Sequence, residues 1–128
     1  MTTTRSSSSA HTTLKRAIPL LASLDLDRTL AFYVEKLGFD VEVFHVDDAA
    51  GVERDGVQIH FWLCDERQIA ENTSCRIDVE GIESLYAELL PQGVVHPNGS
   101  LEDKPWGFRE FAVLDSDGNL ITFVQEIV

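Results

Sequence analysis

Asp55-Gly56-Val57-Gln58-Ile59-His60-Phe61-Trp62 and Asp117-Gly118-Asn119-Leu120-Ile121-Thr122-Phe123-Val124 are two versions of one pattern. Each opens on Asp-Gly, a dipeptide suited to the left-handed backbone of a tight turn, and runs on as a strand of alternating side chains. The two stand half a chain apart, so they mark an internal repeat. A second match lies upstream of each. Leu24-Asp25-Leu26 leads into Leu30, Tyr33, Val34 and Leu37, closed by Gly38; Val79-Glu80-Gly81 leads into Ile82, Leu85 and Leu89, closed by Pro91-Gln92-Gly93. Apolar spacings of three and four that stop at glycine predict a helix in each half, and Asp27 is the expected N-cap of the first.

Each half therefore reads strand, helix, strands. The chain is predicted to be α+β, a single domain over residues 16–127 built from two βαβββ modules at about 16–66 and 72–127. Strands are expected at Ala17–Leu24, Val41–His45, Gly51–Arg54, Val57–Cys64, Thr73–Val79, briefly near Val94, and at Phe108–Leu114 and Leu120–Glu126. Asp65 to Asn72 reads as a short polar link. Residues 1–15 are rich in Ser and Thr, cannot bury enough apolar surface to order themselves, and are expected to be a disordered tail.

The 128 residues are 44% hydrophobic and 25% charged, ordinary for one globular domain. No apolar run reaches the 18 or so residues of a membrane span, and no apolar leader is visible near the start. The formal net charge of −12 argues against a nucleic-acid partner and is compatible with a cationic ligand. Cys64 and Cys75 form no C-x-x-C pair and are expected to be free, buried thiols in a reducing cytoplasm.

Strand parity sorts these side chains into two faces. Val57, Ile59, Phe61 and Leu63 share one; Gln58, His60, Trp62 and Cys64 share the other. Cys75, Ile77 and Val79 oppose Ser74, Arg76 and Asp78, and Ile121 and Phe123 oppose Leu120, Thr122 and Val124. The first set of each is expected to form core under a helix. The second, polar and aromatic, suits a ligand surface, where Trp62 would be wasted on plain solvent.

The runs Asp27-Arg28-Thr29-Leu30-Ala31-Phe32-Tyr33…Leu37-Gly38-Phe39 and Lys104-Pro105-Trp106-Gly107-Phe108-Arg109-Glu110-Phe111-Ala112-Val113…Asp117-Gly118-Asn119 resemble the glyoxalase, bleomycin-resistance and extradiol-dioxygenase group, the vicinal-oxygen-chelate fold. Within it, Ala17-Ile18-Pro19-Leu20-Leu21, Ala50-Gly51-Val52-Glu53-Arg54-Asp55, Asn72-Thr73 and Leu85-Tyr86-Ala87-Glu88 look most like the bleomycin-resistance branch. The resemblance covers about residues 16–126 and implies mixed sheets curved around a cleft. In the group's enzymes a divalent metal is held at positions that fall here on Ile18, His60, Ser74 and Thr122. Three of these four are poor ligands and a site needs at least three converging donors, so no metal and no cofactor are expected. His60 with Ser74 would be a base and a hydroxyl that nothing in the sequence orients, no Ser sits in a nucleophile elbow, and no glycine run has phosphate-loop spacing. No catalytic residue is assigned.

Resistance proteins of this branch sequester a large cationic glycopeptide antibiotic without modifying it, as dimers with two clefts, stacking aromatic side chains on its planar part. By that resemblance Phe44 and Trp106 are ligand-binding, with Asp47, Asp48, Glu102 and Asp103 in nearby loops. Strand parity adds His60, Trp62 and Arg76. Two departures stand out: Arg76 replaces a second Trp of the well-known members, and Ala49 replaces a Phe. A cation at Arg76 would disfavour a cationic drug and favour an anionic or carbonyl-rich ligand. The expected function is metal-free, cytoplasmic sequestration of bleomycin-like or other planar antibiotics by a homodimer. The alternatives are a same-fold binder of an unrelated metabolite and a metal-dependent lyase or dioxygenase.

Overall fold

The computed structural model describes residues 11–128. The first ten positions of the expected tail lie outside the described residues; 11–15 are exposed and have no regular structure.

The first module runs β1 (Leu20–Ser23), α1 (Leu26–Glu35), β2 (Val41–Val46), β3 (Ala49–Arg54) and β4 (Val57–Leu63). A short helix, α2 (Arg67–Ala70), follows it. The second module runs β5 (Ser74–Asp78), α3 (Ile82–Leu89), β6 (Glu102–Asp103), β7 (Phe108–Leu114) and β8 (Leu120–Glu126). Both sheets have the same order, β1-β4-β3-β2 and β5-β8-β7-β6, with the first pair parallel and the rest antiparallel. The repeat in sequence is thus a repeat in topology.

Several boundaries differ from the sequence reading. β1 begins at Leu20 because Pro19 has no N–H for the ladder; its carbonyl still accepts from His60 N at 2.9 Å. Asp25, not Asp27, caps α1: its carboxylate accepts from Arg28 N at 3.1 Å, and Asp27 lies in the first turn. The link between modules is not all loop, since it holds α2, whose Ala70 and Ile69 pack on Ala22 and Cys64. Parity puts Cys64 on the face of Trp62, but α2 covers it. Cys75 is only half-buried. The strand expected near Val94 is a single bridge, Val95 to Val113, and β6 takes the place of the second strand. Val57 and Leu63, assigned to the core, are exposed at the ends of β4. Val124, assigned to the ligand face, is buried, in register between Asp78 and Glu110.

The helix-side faces of both sheets merge into one core. Leu30, Tyr33, Ile59 and Phe61 of the first module join Ile82, Leu89, Phe111 and Phe123 of the second. The two repeat turns then dock unequally. Asp55 and Gly56 both have positive φ (53° and 83°), the geometry of a two-residue hairpin, and the turn stays exposed. Beside it, Arg54 donates two bonds of 2.9 Å to Glu88 on α3. In the second module the loop 115–119 folds back onto α1. Buried Asp117 accepts from Leu24 N at 3.0 Å, Arg28 Nη2 at 2.8 Å and Thr29 Oγ1 at 2.6 Å, and Asp115 accepts from Tyr33 OH at 2.7 Å.

Candidate functional site

With the helix sides sharing one core, each sheet has a face left over. On the first sheet, Leu20, His60, Gly51 and Phe44 are in register across four strands. Simple alternation would put Phe44 on the same side as Glu42, whose partner Val52 is core. A β-bulge at Val43 adds one residue and turns Phe44 to the open face, opposite Gly51. There the Phe44 and His60 rings meet edge to face, 4.9 Å between centroids. Gly51 makes room for them: a Cβ would lie 2.7 Å from Phe44 Cε1 and 3.0 Å from His60 Cδ2.

Glu53 and Gln58 extend this face. Gln58 Nε2 donates to Glu53 Oε1 at 3.2 Å, which turns Gln58 Oε1 to His60 Nε2 at 2.9 Å. In that orientation the Gln58 amide oxygen accepts from His60 Nε2–H. Trp62 stands one pleat further along, in register with the small residues Ala22 and Ala49, and is 38% exposed.

On the second sheet, buried Glu110 is the centre. Its Oε2 accepts from Arg76 Nη2 at 2.8 Å and from Trp106 Nε1 at 2.8 Å. The Glu110 side chain is 6% exposed and that of Arg76 54%. Arg76 also lies over Phe108, and Lys104 over Trp106, each about 6 Å from the ring centroid. Burial works against the Glu110 charge, but the bonds from Arg76 and Trp106 and the nearby cations outweigh it and hold the carboxyl below the usual glutamate range.

The five expected site residues thus form two groups. Phe44 and His60 touch, with Trp62 on the same strand and face as His60; Arg76 and Trp106 share Glu110. No hydrogen bond, ion pair or ring contact among the described residues joins the two groups. Of the four positions carried over as metal-ligand positions, Ile18 lies before β1, Ser74 is exposed and Thr122 is half-buried beside Arg76. Only His60 bears a nitrogen donor, and its Nε2–H is engaged by Gln58. Glu110, Gly51 and Gln58 were not singled out from the sequence. Glu110 was within reach of parity, sharing its face with Phe108 and Ala112. A hollow of about 430 Å³ elsewhere, between the modules beside the Arg54–Glu88 pair, is lined by Leu37, Phe39, Leu85 and Phe123 and by none of the five. No helix among the described residues is long and apolar enough to cross a membrane.

A family model described as "Glyoxalase superfamily protein" matches residues 3–128. The chain is 41% identical to a bleomycin resistance protein of Geobacillus stearothermophilus, over 88% of this chain and 97% of that one. Its fold is similar to the bleomycin-binding protein of Streptomyces verticillus solved with copper(II)-bleomycin, with TM-score 0.78, 30% identity, and 88% and 97% of the two chains covered. It is also similar to a bleomycin resistance determinant encoded on the transposon Tn5, with TM-score 0.78, 26% identity, and 90% and 100% covered.

Proposed function

The chain belongs to the glyoxalase superfamily, and from that premise we propose that it binds and sequesters bleomycin or a related planar antibiotic without modifying it. The observation that carries this reading is Trp106. Its indole is 60% exposed, yet its N–H is held by the buried Glu110 carboxylate. An aromatic plane open to solvent but fixed in orientation loses little freedom when a flat ring stacks on it. The Phe44–His60 pair supplies a second aromatic surface, and 41% identity to a bleomycin resistance protein supports the same ligand.

The two groups are on different sheets, each facing away from the shared core. A homodimer that sets the Phe44, His60 and Trp62 face of one copy against the Arg76 and Trp106 face of its partner would close two equivalent clefts. Exposed Leu20, Val46 and Trp62 on the first face give such a pairing apolar surface to bury. The protein would act in the cytoplasm, with Cys64 and Cys75 as free thiols, and on no nucleic acid. Binding is favoured over metal chemistry because Ile18, Ser74 and Thr122 offer no ligand set.

The test is a titration with metal-free and with copper-loaded bleomycin, following tryptophan emission, with sedimentation of the same samples and mass analysis of the recovered drug. Saturable binding, a dimer and unchanged drug are expected. No saturable signal at millimolar drug, or a chemically altered drug, would end this reading.

A further inference from the structure

Arg76 places a positive charge on the face where a cationic drug is to bind, and Glu110 stands directly behind it. We propose that Glu110 is the positioning residue of the binding face: its Oε2 fixes the Trp106 indole and cancels Arg76, so that the stacking surface admits a cationic ligand. The inference deepens the antibiotic-binding reading and rests on it for the ligand alone.

Three observations carry it. One oxygen takes both bonds, from Arg76 Nη2 and Trp106 Nε1, each at 2.8 Å, so the charge partner and the stacking plane are held by a single atom. The carboxylate is buried while Arg76 is half exposed, so the negative charge is fixed by the fold while the guanidinium reaches out from it. And Asp78, Val124, Glu110 and Glu102 stand in one row across the sheet, with Asp78 exposed at the edge. With Arg76 paired to Glu110 and Lys104 to Glu102, Asp78 is the carboxylate of that row left without a cation among the described residues, and it leaves the face acidic by one charge. Arg76 then serves through its outward N–H groups, which suit an uncharged acceptor such as an amide or carbonyl oxygen of the ligand. Without Glu110 the same guanidinium would repel a cation through a medium less polar than water.

The experiment uses the full chain and compares Glu110→Gln with the double variant E110Q/R76L. The glutamine amide keeps an acceptor for the indole N–H and removes only the charge. Metal-free bleomycin is expected to bind E110Q at least tenfold more weakly at low salt, with the deficit shrinking as salt screens the exposed guanidinium. The double variant should recover to within about threefold of the parent. A second readout needs no drug. The chain has two tryptophans, so in a Trp62→Phe background all indole emission comes from Trp106. E110Q should raise quenching by iodide relative to caesium, and E110Q/R76L should reverse it. A merely structural role for Glu110 would give no rescue of binding in the double variant, and that result overturns the proposal, as does a quenching ratio that E110Q leaves unchanged. If the parent fails to bind bleomycin while the quenching ratio shifts as stated, the ligand assignment falls and the role of Glu110 stands.

Discussion

Phe44 and His60 meet edge to face at 4.9 Å directly above Gly51, a residue that has no side chain to come between them. The pair is built from three strand positions in register, so changing the middle one tests the other two. Gly51→Val would put a Cβ 2.7 Å from the Phe44 ring. That ring is only part-buried and can swing away, so stability should fall by about 1–2 kcal/mol, at the lower end for overpacking. Drug binding should weaken as the ring pair is lost. Urea denaturation and a bleomycin titration on the same preparation separate the two effects; unchanged affinity would remove Phe44 and His60 from the site.

Trp106→Ala removes the exposed indole and leaves Glu110 its bond to Arg76. Affinity for a planar ligand should drop by about 1–3 kcal/mol, the range for a central aromatic contact. Stability should change by less than about 1 kcal/mol, because the indole is mostly in solvent. Fluorescence cannot report this variant fully, so calorimetric titration is the measurement. Equal affinity in parent and variant would place the stacking surface elsewhere.

Glu110 gives a pH signature with a definite sign. Its folded-state carboxyl titrates below the ordinary 4.5. A depressed acid contributes stability that is fully present above the unfolded value and is lost as pH falls through the folded one. Stability curves of the parent and of Glu110→Gln should therefore run parallel from pH 7 to about 5 and converge at lower pH. Denaturant midpoints across pH 2.5–7 read this directly, and parallel curves throughout would contradict it.

The two repeat turns predict opposite responses. Asp117 is buried and accepts from Leu24 N, Arg28 and Thr29. Asp117→Ala leaves Leu24 N–H without its acceptor and removes a buried partner of Thr29 and Arg28, and should cost about 2–3 kcal/mol. Asp55, at the matching place in the first module, is exposed with φ 53°. Asn tolerates that backbone, so Asp55→Asn should fall within about 0.5 kcal/mol of the parent. Similar losses at both positions would show that the turns carry equal weight, against the asymmetry of the fold.

Burial, with the Asp115 carboxylate nearby, pushes the Cys75 thiol up to about 11. The thiolate is the reactive form. Alkylation of Cys75 by iodoacetamide, followed by peptide mass analysis, should be slow at pH 8 and rise steeply only as pH approaches 11. Rapid labelling at pH 8 in the folded protein would count against this environment.

Spacing along the chain was enough to specify the modules and most of their faces. The paired Asp-Gly strands, the three-and-four spacing of Leu30, Tyr33 and Leu37, and the glycine stops specify two modules of one kind, because helix and strand periods are local properties of the backbone. Parity placed His60, Trp62 and Arg76 on open faces for the same reason, and the resemblance picked out Trp106 from its neighbours. The rest was set by the three-dimensional fold, where counting fails or where distant segments meet. Counting through β2 puts Phe44 on the core side; the bulge at Val43 adds one residue and sends it to the other. Cys64 has the parity of a site residue and is buried because α2, formed from what reads as a polar link, folds over it. Asp55 and Asp117 are equivalent in sequence, but only Asp117 meets Leu24, 93 residues away. Glu110 looks like one acidic residue among 22. It becomes the centre of a face because β5 and β7, both paired to β8, bring Arg76 to it across the sheet, and a side-chain charge takes its meaning from what surrounds it in space.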